Sequence, residues 1–150
     1  MKNVSSLSFF ALLCVFLVLS CNDDDVTEAV ILQSVEYPIY DISGSNISGT
    51  ATFTQEDNGS THVLIELVGA YTSENPAYIR YNSAAEGGTV AITLMTCECA
   101  ISNTTITQLN NGSSISYDGL THLDGHITIH NGQGSTAPIV AVADIGANAN

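Results

Sequence analysis

The chain of 150 residues carries 15 acidic residues against two basic ones, a formal charge of −13. That balance excludes a nucleic-acid backbone or an anionic membrane surface as a direct partner, since either would be repelled on approach. The length suits a single domain whose hydrophobic fraction, 45%, can bury a real core.

The first 20 residues stand apart from that domain. "MKNVSSLSFFALLCVFLVLSC" places one lysine before an apolar run from about Phe9 to Leu19, with Cys14 inside it. A run of this length is too short for a hydrocarbon core that needs about 20 helical residues, so it reads as the h-region of a signal peptide, residues 1–20. Its ending, "LVLSC", resembles the lipobox of bacterial lipoproteins, which implies cleavage before Cys21, acylation of that cysteine and anchoring in the outer membrane. The following "NDDD" resembles the surface-export signal of lipoproteins in Bacteroidota. On this reading residues 21–29 are a lipidated acidic tether and residues 30–150 a domain exposed at the cell surface.

From there the signals are nearly all for strands, short runs rich in Val, Ile, Thr and Tyr bounded by Gly, Asn, Ser and Pro. "AVILQSVEYPIY" is a first strand ending near Pro38, and "GTATFTQ" (49–55) a second. "NGS" (58–60) turns the chain into "THVLIELVG" (61–69), where Val63, Ile65 and Leu67 alternate with His62, Leu64 and Glu66. "AYIRYN" (77–82) and "GGTVAITLM" (87–95) follow, then a turn and strand in "CECAISNTTITQL". "SISYDGLTHL" is compatible with one helical turn, and "GHITIH" (125–130) and "APIVAVADIG" (137–146) close the domain. About eight strands at spacings near ten residues, with no long helix-period segment, predict an all-β fold, an antiparallel sandwich or barrel with Greek-key-like connections.

Cys97 and Cys99 in "TCECA" leave three states open in an oxidising compartment: a tight local disulfide, free thiols, or part of a soft-metal site. No G-x-S-x-G, P-loop, H-E-x-x-H or C-x-x-C motif occurs, so the sequence predicts no enzyme.

"GTATFTQEDNGSTHVLIELVG", "NPAYIRYNSAAEGGTVAITL" and "ISYDGLTHLDGHITIHNGQGSTAPIVAVADIG" resemble, in order, the CHRD (chordin-type) domain family, in its Bacteroidota lipoprotein form, over roughly residues 44–147. The resemblance implies an antiparallel β-barrel or sandwich, likened to the copper/zinc superoxide dismutase architecture, and brings little mechanism with it. Members of this type commonly carry Ala-His-Ile-His in the fourth strand and a further histidine at the end of the penultimate strand. Here the pair falls on Tyr78 and Arg80, and the last histidine is kept as His130.

In an extended "GHITIH", His126, Thr128 and His130 share one face and Ile127 and Ile129 point to the core. His126 and His130 would lie about 13 Å apart, too far for one zinc or copper ion with ligand bonds of about 2 Å. The spacing therefore favours solvent-facing histidines. The alternatives are a remodelled copper or zinc site using His126, His130 and His122, with Asp124 nearby, or a pH-sensitive contact. Four scattered histidines cannot supply a dismutase. Arg80, the only cation after Lys2, reads as structural neutralisation by pairing with carboxylates or stacking on Tyr78 or Tyr81; its alternative is an acidic or sugar-like ligand. Expectation thus settles on a non-enzymatic surface module meeting an unidentified protein or glycan and needing no cofactor.

Overall fold

A computed structural model describes residues 32–70 and 74–149. The segments expected to be a signal peptide (1–20) and an acidic tether (21–29), with Cys21, lie outside the described residues. Among the described residues eight strands run in chain order: β1 (Ser34–Asp41), β2 (Ser48–Gln55), β3 (Thr61–Val68), β4 (Ala77–Tyr81), β5 (Val90–Thr93), β6 (Ile101–Ile106), β7 (Asp124–His130) and β8 (Ile139–Gly146). One short helix, α1 (Tyr117–Thr121), precedes β7. All eight strands form one antiparallel sheet in the order β5-β4-β7-β8-β1-β2-β3-β6, curled into a half-barrel rather than split into two separate layers.

The period-2 pattern dictates the inside. Phe53, Ile65, Ile79, Ile127, Ile129 and Ile145 are fully buried on the concave side. Phe53 meets Tyr37 edge-on, with centroids 5.1 Å apart. Burying each such side chain contributes about 1.5–3 kcal/mol. Ser116 caps α1 by accepting a hydrogen bond from the Gly119 N–H at 3.1 Å, and the helix buries Leu120 against β2 and β8.

Curling brings the two edge strands, β5 and β6, side by side. Side-chain hydrogen bonds and one backbone bond seal this seam in place of a regular ladder. The Thr104 hydroxyl accepts from the Met95 N–H (2.9 Å), and Ser102 Oγ donates to the Met95 carbonyl (2.6 Å). Asn110 accepts from the Thr93 N–H through Oδ1 (3.1 Å), while its own N–H donates to the Ala91 carbonyl (2.9 Å). Ala91 is the residue that the β4–β5 register skips between Ile79 and Arg80. A bulge of this kind re-aims the backbone, here offering the carbonyl to the seam.

Pro38 does not end the first strand, which runs on to Asp41. The Gln55 N–H donates to the Gln33 carbonyl and the Ile42 N–H to the Val140 carbonyl. Odd-numbered residues of β1 therefore bond to β2, and even-numbered ones face β8. β1 pairs with β8 only at Tyr40–Val142 and Asp41–Ala141. The next step of that ladder would match Pro38 with Asp144, and proline has no N–H to give. Pro38 is harmless to the β2 ladder and stops the β8 ladder.

Candidate functional site

The outer face of β4 and β7 carries the residues that the sequence singles out. Register places Tyr78 opposite Thr128 and Arg80 opposite His126, with Asp144 of β8 opposite His126 on the other side. Ile127 and Ile129 point inward as expected. The histidines do not face solvent: His126 is 2% exposed and His130 0%, and Thr128 between them is also fully buried. Two loops, 82–88 and 131–138, fold back over this face, which is why a strand alternation that reads "wet" on one side is dry on both.

His126, His130 and Arg80 each tie this face to a loop. His126 Nδ1 lies 2.7 Å from the Asn82 carbonyl, and His130 Nδ1 lies 2.7 Å from the Ala137 carbonyl. Arg80 donates from Nε to Thr128 Oγ1 (3.2 Å), from Nη1 to the Gly88 carbonyl (3.0 Å) and from Nη2 to the Ser135 carbonyl (2.6 Å). One guanidinium thus joins β4, β7 and both loops, a spread of directions suited to its planar fork. Asp144 fastens the first loop again, accepting from the Ala84 N–H at 2.7 Å. Gly88 is required where it sits, because a Cβ there would collide with the Tyr81 carbonyl.

The proton arrangement follows from Arg80, which can only donate. Thr128 Oγ1 accepts from Arg80, which leaves its own proton for His130 Nε2, 3.0 Å away. His130 Nε2 then accepts, and its Nδ1 carries the proton given to Ala137. The network assigns a neutral ring. Burial pushes the His130 pKa below the ordinary imidazole value; the Ala137 bond opposes this and the nearby Arg80 charge adds to it. Tyr78 packs edge-on against the ring, with centroids 5.2 Å apart.

These positions correct two expectations. Arg80 makes no ion pair with a carboxylate among the described residues; its partners are three neutral oxygens. His122 does not join His126 and His130, since it sits exposed at the C-terminus of α1 with Nδ1 3.2 Å from Asp118 Oδ1. Asp124 accepts instead from Asn148 at 2.8 Å. Among the described residues no three of His, Cys, Asp and Glu group as metal ligands. The donor chemistry agrees: both His130 nitrogens and one of His126 are engaged, and Arg80 sets a fixed positive charge in the same network. Copper or zinc does not fit these residues.

Cys97 and Cys99 are free thiols. Glu98 and Ile101 exchange backbone hydrogen bonds of 2.9 and 3.0 Å around a two-residue turn, with Cys99 at φ 49° and Ala100 at φ 74°. Two positive φ angles define a type I′ turn. Cys97 is buried, which pushes its thiol up to about 12, while Cys99 is exposed.

Sequence reasoning missed Glu36, Tyr40 and Asp144, which line a groove of about 410 Å³ together with Val35, Tyr37, Pro38 and Asn148. The one signal that could have found it is Pro38 within an otherwise unbroken strand pattern. No family model matches the chain, and no curated protein matches it.

Proposed function

We propose that this chain is a lipid-anchored outer-membrane protein whose CHRD-like β-domain acts at the cell surface, without catalysis, as a binding or structural module. The observation that carries the reading is the state of the β4–β7 face. At the positions where the resembled family carries its histidine pair, Tyr78 packs on His130 and Arg80 spends its donors on Thr128, Gly88 and Ser135 beneath two loops. Groups committed in this way hold a scaffold together and offer no nucleophile or proton carrier to a substrate. The sequence supports the anchor through "LVLSC" and the surface position through "NDDD".

The test joins labelling to accessibility. A fatty-acid label supplied to expressing cells should appear on the chain and vanish in Cys21→Ser. Protease added to intact cells should remove the domain. Calorimetry with copper and zinc, on wild type and His126→Ala/His130→Ala, should show no saturable binding. Stoichiometric metal binding lost in the double variant would replace the scaffold reading with a metal-binding one.

A further inference from the structure

The sheet is interrupted at one place, between β1 and β8, and the interruption has a chemical character. Beyond Tyr40–Val142 no pairing continues among the described residues, because the next position on β1 is Pro38. By the alternation set out above, the backbone N–H and carbonyl of Glu36 face this opening, as do those of Asp144 from the opposite strand. On the core side Tyr37 closes the gap, its hydroxyl bonded to the Gly146 backbone. On the outer side lies the groove of about 410 Å³, with the Glu36 and Asp144 carboxylates, the Pro38 ring and Tyr40, which is 62% exposed, in its lining.

Unpaired strand edges recruit extended backbone. The lining adds a preference. Two carboxylates beside an exposed aromatic ring suit a side chain with an apolar stem and a positive tip. Arg80, the only basic residue among those described, is sequestered on the β4–β7 face. A neutral glycan could stack on Tyr40, but it would leave the Glu36 backbone edge unpaired.

We propose that the β1–β8 opening is a docking site for an extended, basic segment of another protein. That segment adds along the free edge of β1 and lays a lysine or arginine stem over Tyr40 and Pro38, its charge toward Glu36 and Asp144. The proposal rests on the binding-module reading and names the partner's chemistry.

The experiment uses the full chain in mild detergent and a fluorescent decapeptide of alternating lysine and threonine. Saturable one-to-one binding is expected, with Kd on the order of 10–100 µM. Glu36→Gln and Tyr40→Ala, both exposed positions, should each weaken it about fivefold or more, whereas Glu56→Gln/Asp57→Asn in the β2–β3 turn, which removes twice the charge that Glu36→Gln does, should not. The Glu36 amide should gain hydrogen-exchange protection when the peptide binds. Equal weakening by the turn pair would overturn the site in favour of diffuse attraction to an acidic chain. Unchanged affinity of a peptide N-methylated along one backbone edge would overturn strand addition. Binding of a neutral oligosaccharide such as chitohexaose, with none of the peptide, would overturn the proposal in favour of glycan recognition. None of these outcomes touches the Cys21 label or the surface accessibility, so failure here and failure of the anchored-module reading are separable.

Discussion

Arg80 and His130 meet on one oxygen: Thr128 Oγ1 takes the Arg80 Nε–H at 3.2 Å and lies 3.0 Å from His130 Nε2. A permanent donor at one end of this relay fixes the proton at the other. The charge that the sequence marks as unusual therefore acts through hydrogen-bond direction, with no carboxylate needed.

Removing Arg80 should consequently unfasten both loops at once. Arg80→Ala is expected to destabilise the domain by about 2–3 kcal/mol, read from the urea midpoint, because three oxygens lose a charged donor in a partly buried setting. Arg80→Lys should recover little of this, since a compact ammonium cannot reach three directions. An unchanged midpoint in Arg80→Ala would show that the loops hold themselves.

Stability should also depend on pH through His130. In the unfolded chain its ring takes a proton near the ordinary value of about 6.5, whereas in the folded chain burial delays protonation to lower pH. Between those two points the unfolded state binds more protons, so stability is full above about 6.5 and falls as the pH drops below it. Urea midpoints at pH 7.5 and 5.0 should differ by less in His130→Gln than in wild type. An identical pH dependence in the two proteins would remove His130 as the source.

The turn at Cys99 and Ala100 is built from residues that resist positive φ. At φ 74° Ala100 bears a cost that glycine would not. Ala100→Gly should stabilise the domain by about 0.5–1 kcal/mol in chemical denaturation, against the usual trend for glycine substitutions. A loss of stability would mean that the methyl group's packing outweighs the backbone strain.

The two thiols of this turn should behave differently. Cys97 is buried and its thiol is pushed up to about 12, so it should resist alkylation in the native state, while the exposed Cys99 reacts. Peptide mapping after iodoacetamide treatment checks this. Protection of both, relieved together by a reductant, would mean that they are joined.

Much of the strand order was legible because period-2 alternation is local. Val63, Ile65 and Leu67 announce their inward face without help from the rest of the chain. The sequence left sandwich and barrel both open, because the curl that decides between them depends on side chains such as Thr104 and Asn110 reaching across to β5 and the residues beyond it. The histidines illustrate the same limit. Their shared face on β7 follows from alternation, but their burial depends on loops 82–88 and 131–138 folding back over it, and nothing in "GHITIH" encodes that cover. Pro38 was visible and its meaning was not: whether a proline ends a strand or only silences one edge depends on which neighbour lies on that edge.

The place of β8 in the sheet bears on how the protein is made. The last strand lies between β7 and β1, in the interior of the strand order. During synthesis β1 leaves the ribosome roughly 100 residues ahead of β8, an interval of about 5–20 s at ordinary elongation rates. Throughout it, β1 and later β7 each present an open edge awaiting the same partner. A nascent chain of this design cannot complete its centre early, which leaves it pliable for as long as it is being delivered and commits it to its final form only when the last strand arrives.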